Sequence, residues 1–216
     1  MLWLNKNNFL SKLIFTVTKF YQYRKLLQKC LIYNNFPQTL AQLPQEFAVD
    51  RITLLELNSL KQSNIEVLIL DYDGVLCPQG EIKPLPEVIS WLEQATLIFG
   101  AKKIFILSNN PLLERQEFLN KYFNNQIIFI VTKPKPYPDG IIEICDYLKL
   151  TTGQIPEKSR MLFVDDRLST GILAAKIFGI VGCLILKPYT NIKKRFLIES
   201  SFIVIRKLER LILCHL

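Results

Sequence analysis

At 216 residues, half of them hydrophobic, the chain suits one domain of ordinary size with about 40 residues to spare. Its net charge of +8 sits at the two ends: residues 1–45 hold six basic and no acidic side chains, and residues 187–216 hold seven basic and two acidic. Five scattered cysteines with no CxxC pair fit free buried thiols in a reducing compartment, and the single histidine, His215, excludes a His-rich metal site.

Residues 1–32 are expected to form a basic amphipathic helix, because Phe9, Leu10, Leu13, Phe20 and Leu27 recur at helical spacing with lysines between them. The segment lacks the continuous apolar stretch and small-residue cleavage site of a secretory signal. Its lack of acid fits a transit peptide, and its amphipathicity fits a membrane-docking helix. Pro37 and Pro44 mark residues 33–47 as a linker. No stretch reaches the roughly 18 consecutive apolar residues of a membrane span.

From residue 66 the pattern alternates. Oily runs of strand length occur at 67–70, 103–107, 127–131, 161–164 and 183–186, each apolar throughout, as in parallel strands covered on both faces. Between them lie helical stripes, one of Leu85, Val88, Ile89 and Leu92 and another of Ile141, Ile142, Cys145 and Leu148. This alternation predicts an α/β fold with a doubly wound, Rossmann-like parallel sheet. The expected organisation is a basic amphipathic segment and linker (1–45), a catalytic domain (46–190) and a basic amphipathic C-terminal helix (191–216). That helix carries Phe196, Ile203 and Leu211 among its apolar residues and Lys193, Lys194, Arg195, Arg206, Lys207 and Arg210 among its polar ones.

In open α/β sheets ligands bind beyond the carboxyl ends of the strands, so the residues just after each oily run are the informative ones. Asp71 and Asp73 follow the first run, Ser108-Asn109-Asn110 the second, Lys133 and Lys135 the third, and Asp165 and Asp166 the fourth. Burying the paired carboxylates next to Val67-Leu68-Ile69-Leu70 is costly without a compensating cation. An oxygen-only ligand set suits Mg²⁺. Serine and lysine beside the acids suit the oxygens of a phosphoryl group, and a carboxylate nucleophile there can form an aspartyl phosphate. A second carboxylate two residues on reaches the same rim and can handle the leaving-group proton.

In that order the four motifs resemble the haloacid dehalogenase-like phosphohydrolases, of the IIIA type: Asp71-Tyr-Asp73-Gly-Val-Leu, Ser108-Asn-Asn, Lys135-Pro-Tyr-Pro-Asp-Gly and Val-Asp165-Asp166-Arg. The resemblance covers about residues 45–190. It implies Asp71 as nucleophile, Asp73 as general acid then base, and Ser108, Asn109 and Lys135 around the phosphoryl group. It implies Mg²⁺ on Asp71, the backbone carbonyl of Asp73, and Asp166. Lys135 is preferred to Lys133 because Lys-Pro-x-Pro-Asp-Gly matches the pattern around that superfamily's lysine. The approach to the first motif, the Ser-Asn-Asn motif and the basic end are similar to the phosphatidylglycerophosphate phosphatases of this superfamily. Two positions depart from that family's usual pattern. Its fourth motif has Gly-Asp and then Leu-x-Thr-Asp, whereas here Asp165 stands at the glycine and Gly171 at the last aspartate. Asp165 is a candidate to replace the missing outer carboxylate. Val75 stands where a threonine is usual.

The intervals between the motifs hold a helix and a strand each, leaving no room for a large cap domain. Only a short flap, residues 77–83, is expected to cover the site. An open site favours a large or surface-bound substrate. The basic amphipathic ends suit an anionic membrane surface. With the substrate that the resemblance implies, the reading is a peripheral-membrane enzyme on the cytoplasmic face of a bacterial membrane or on the mitochondrial inner membrane, converting phosphatidylglycerophosphate to phosphatidylglycerol. The second reading is the same chemistry on a nucleic acid 3′-phosphate or a phosphoprotein. Nucleic acid is disfavoured because the basic ends alternate lysines with large aliphatics. A third reading, an inactive interaction module on the same fold, conflicts with the retention of Asp71, Asp73, Ser108, Lys135 and Asp166.

Overall fold

The computed structural model describes residues 9–32, 46–131 and 133–215. In chain order these hold helix α1 (Phe9–Ile32), strand β1 (Glu46–Val49), α2 (Leu57–Gln62), β2 (Val67–Leu70), α3 (Pro86–Phe99), β3 (Ile104–Leu107), α4 (Leu113–Tyr122) and β4 (Ile127–Ile130). There follow α5 (Asp139–Thr152), β5 (Met161–Asp165), a π-helical turn at Leu168–Ile172, α6 (Leu173–Phe178), β6 (Val181–Ile185) and α7 (Phe196–His215). The six strands form one all-parallel sheet in the order β1-β6-β5-β2-β3-β4. The five expected strands are all present, with ends that move by one or two residues. The sixth, β1, overlaps the end of the expected linker and runs into chain for which no element is expected. Among the described residues it is an edge strand paired with β6, and its Glu46-Phe-Ala-Val opens on a charge, unlike the wholly apolar four-residue strands β2, β3 and β4.

Side chains of a strand alternate between the two faces of the sheet. Leu68 and Leu70 of β2 therefore join Val88, Trp91 and Leu92 of α3 and Leu119 of α4 in one core. Val67 and Ile69 join Ile141, Ile144 and Leu148 of α5 and Ala174 of α6 in the other. The strands are apolar throughout because both faces are covered. One stripe residue is misassigned: Ile142 is 45% exposed, and Ile144 takes the core position. Cys77, Cys145 and Cys183 are buried.

Helix α1 packs on β1, α6 and α7, laying Phe20 and Tyr23 near Ala48, Leu173 and Leu184. Among the described residues, no helix is long and apolar enough to cross a membrane. Chain order reverses at β2: the path runs outward to β3 and β4, then returns to β5 on the other side. Such a switch point opens a crevice at the carboxyl ends of β2 and β5.

Candidate active site

The residues expected to carry chemistry converge on that crevice. Asp71, Asp73, Ser108, Asn109, Lys135 and Asp166 line one cavity of about 350 Å³. Asp71 continues β2, Ser108 follows β3, and Asp165 and Asp166 end β5, so three adjacent strands aim their ends at one point. Gly74 then turns the chain away with φ +81°. A side chain there would meet Asp166 Oδ2 at 2.5 Å, so both the backbone and the close approach require glycine.

Lys135 is nearly completely buried, which an ammonium tolerates only with partners. Its Nζ lies 2.8 Å from Asp71 Oδ1 and 2.5 Å from Asp165 Oδ2. Burial lowers its pKa, but these two carboxylates outweigh burial and raise it. Lys133 lies outside, paired at 2.7 Å with Asp139. Asn109, expected beside the phosphate, spends its amide on the lysine's own backbone: Oδ1 accepts from Lys135 N at 2.6 Å, and Nδ2 donates to Lys135 O at 3.2 Å. It thus fixes the position of Lys135 relative to β3. Ser108 Oγ accepts from Asn110 N at 3.2 Å, and the serine remains at the cavity wall.

Asp71, Asp165 and Asp166 bring carboxylate oxygens within 4.8 Å of one another. Burial raises the Asp71 pKa well above the ordinary value; Lys135 opposes this, and Asp165 and Asp166 add to it. Burial likewise pushes Asp166 up to about 6, with Arg206 opposing and Asp165 adding. A buried, all-oxygen set that holds its charge this reluctantly fits a hard divalent cation, which would replace the protons such a cluster otherwise attracts. Asp165 enters this cluster for a visible reason. A Cβ placed on Gly171 would lie 2.0 Å from Asp165 Oδ2. The Asp165 carboxylate therefore fills the space that any side chain at 171 would need, and the two departures in the fourth motif compensate each other sterically. Val75 is buried in the core beneath the site, where a methyl replaces the hydroxyl at no polar cost.

Asp73 takes a different environment. Both its oxygens accept from a completely buried arginine: Arg115 Nη1 to Oδ2 at 3.0 Å and Arg115 Nη2 to Oδ1 at 2.6 Å. Gly80 N also donates to Oδ1, at 2.7 Å. Arg115 Nε donates to Glu81 O at 2.9 Å, and its guanidinium stacks 4.3 Å from the Tyr72 ring. Burial opposes the arginine's charge, but the Asp73 bonds and charge outweigh it and raise its pKa. The Asp73 side chain is therefore committed to Arg115 and stands apart from the three-carboxylate cluster. Sequence reasoning missed Arg115, since one arginine in the polar run of α4 has no distinguishing neighbour.

The site is also less open than expected. Besides the flap, α7 and the residue before it reach the cavity with Arg195, Ile198 and Phe202. Arg206 pairs with Asp166 Oδ2. Glu209 accepts from Arg167 Nε at 2.9 Å and from Leu168 N at 3.1 Å. Glu199, fully buried, accepts from Gln79 N at 3.2 Å and Asn191 N at 2.9 Å. The amphipathic tail is thus inside out: its charged stripe faces the site, while Leu197, Val204, Leu208 and Leu211 face outward and exposed. Helical spacing predicts two faces without saying which is buried, so the sequence left the covering role of α7 unseen. Helix α1 also passes near: burial, then repulsion by Lys135 and Arg167, lowers the pKa of Lys12.

A six-stranded parallel sheet flanked by helices, with this cluster at its switch point, is a Rossmann-like α/β fold consistent with the haloacid dehalogenase type. The family model described as mitochondrial PGP phosphatase matches residues 25–190, and the chain belongs to that family of phosphatases. Comparison with curated proteins and with solved structures gives no match.

Proposed function

We propose that this phosphatase is Mg²⁺-dependent, works through an aspartyl phosphate on Asp71, and converts phosphatidylglycerophosphate to phosphatidylglycerol at a mitochondrial membrane surface. The observation that carries the chemistry is the buried cluster of Asp71, Lys135, Asp165 and Asp166, of which Asp71, Lys135 and Asp166 line one cavity with Ser108. Membership of the mitochondrial PGP phosphatase family supports the substrate and the membrane.

Lys135 and Ser108 hold oxygens of the phosphoryl group. An Asp71 oxygen attacks phosphorus, and the bond from phosphorus to the glycerol oxygen breaks. Asp73 delivers a proton to that departing oxygen. In the second step water attacks the phosphoaspartate, Asp73 takes its proton, and inorganic phosphate leaves. Both Asp73 oxygens accept from Arg115, so carrying a proton requires one of those bonds to open. Asp71, the backbone carbonyl of Asp73, and Asp166 would hold Mg²⁺, with Asp165 supporting the set through Lys135. Bound there, the cation neutralises charge that develops on the transferring group. The outward apolar faces of α1 (Leu10, Leu13, Ile14, Val17) and α7 flank this site, and basic residues lie along both helices, a pattern suited to an anionic bilayer.

The deciding assay compares phosphate release from phosphatidylglycerophosphate and from a 3′-phosphorylated oligonucleotide. Mg²⁺-dependent release from the lipid, lost in Asp71→Asn with the circular dichroism spectrum unchanged, is the expected result. Preference for the oligonucleotide overturns the substrate, and an active Asp71→Asn overturns the mechanism.

A further inference from the structure

Three cations line the cavity, and they are not equivalent. Lys135 is matched to Asp71 and Asp165, and Arg167 is matched to Glu209. The third, Arg195, has no carboxylate partner among the described residues. The one hydrogen bond of its guanidinium among the described residues is long, from Nη2 to Gly80 O at 3.3 Å. A half-buried guanidinium with unused donors at the wall of a phosphate site is a fork for a second anionic oxygen pair.

Its position is defined by two short links. Gly80 N donates to Asp73 Oδ1 at 2.7 Å, and the carbonyl of the same glycine receives Arg195. The guanidinium is therefore one residue's breadth from the carboxylate that serves the leaving oxygen. It stands beside the flap that holds Asp73, whereas Lys135 stands against Asp71. Ile198, three residues further along the chain, lines the same cavity and opens onto the exposed apolar face of α7. The cavity thus combines the phosphoryl site, a lone cation beside the flap and, three residues on from that cation, an exposed apolar side chain. A lipid with a terminal phosphomonoester, a phosphodiester one glycerol away and acyl chains beyond carries the groups that suit these three features.

We infer that Arg195 determines specificity by binding the phosphodiester of the substrate. This rests on the lipid reading above and names the residue that enforces it. A second contribution follows from the same contact. With its fork on the diester, Arg195 ties the substrate to the Gly80 flap, which itself holds Asp73.

The test measures kcat/KM of wild type, Arg195→Gln and Arg195→Lys on three substrates. These are an aryl phosphate, the deacylated headgroup (monoester and diester without chains), and short-chain phosphatidylglycerophosphate. A charge-assisted hydrogen bond lost from the diester predicts that Arg195→Gln loses about 10- to 100-fold on both diester substrates relative to the aryl phosphate. Arg195→Lys, which keeps the charge without the fork, recovers part of that loss. The loss falls in KM more than in kcat, because the diester is bound alike in ground and transition states. Equal losses on all three substrates overturn the inference and make Arg195 a clamp on the flap. A loss on the lipid but not on the deacylated headgroup also overturns it, since the contact would then be to the chains. A wild-type enzyme that cleaves the aryl phosphate but neither diester substrate sinks the lipid reading itself. Thermal unfolding of each variant separates these outcomes from misfolding.

Discussion

Replacing Arg115 by methionine tests the central claim about Asp73. The arginine is completely buried, and Asp73 is nearly so, with 10% of its side chain exposed. Methionine fills similar volume but removes both bonds to Asp73, the bond to Glu81 O and the bond to Asn110 O. Breaking a buried pair from one side leaves an uncompensated charge and costs about 3–5 kcal/mol. For a chain of this size that lowers Tm by roughly 6–20 °C. Activity falls as well, because the Asp73 carboxylate loses its fixed orientation. A misplacement on the scale of 1 Å costs on the order of 100-fold in kcat. Urea unfolding and phosphate release from an aryl phosphate measure the two effects. Pairing the change with Asp73→Asn in a double-mutant cycle isolates the coupling. If the double variant is more stable than Arg115→Met alone, the penalty belongs to the stranded carboxylate. A single Arg115→Met protein that unfolds within about 1 kcal/mol of wild type and keeps its kcat would refute the reasoning, because the pair would then be neither desolvated nor involved in positioning.

Further outcomes follow from the same geometry. Gly171→Asp inserts a side chain where the Asp165 carboxylate lies, and should destabilise the protein by about 1–3 kcal/mol or more. Adding Asp165→Gly should restore stability and Mg²⁺ binding, and a double variant no better than the single one contradicts the steric exchange. Asp166 has a folded pKa of about 6 against an ordinary 3.8, so the folded protein keeps a proton that the unfolded chain gives up. Its contribution in metal-free protein is fully present below about pH 4 and is lost as pH rises through 6, on the order of 3 kcal/mol in all. Urea unfolding in chelator, compared with Asp166→Asn, should show that decline with rising pH, and an equal profile in both proteins argues against it. Leu197→Gln with Leu208→Gln should weaken sedimentation with anionic vesicles, each leucine withdrawn from lipid costing about 1.5–3 kcal/mol. Hydrolysis of a soluble aryl phosphate should persist, and unchanged vesicle binding would remove α7 from the membrane contact.

The sequence by itself determined the parallel sheet, since runs such as Val67–Leu70 are apolar on both faces only when both faces are covered. It also placed Asp71, Ser108, Lys135 and Asp166 at strand ends, because in a parallel sheet all carboxyl ends share one rim. Tertiary structure decided the rest. β1, Glu46-Phe-Ala-Val49, opens on a charge and so lacks the continuous apolar run, and Arg115 is selected only by meeting Asp73 across 42 residues. Asp165 becomes part of the cluster because Gly171 vacates the adjoining space. Helix α7 turns its charged stripe inward because the site beneath it supplies Asp166, Arg167 and the flap amide of Gln79 as partners. Periodicity divides a helix into two faces, but only what lies opposite each face decides which one is buried, and those partners are distant in sequence.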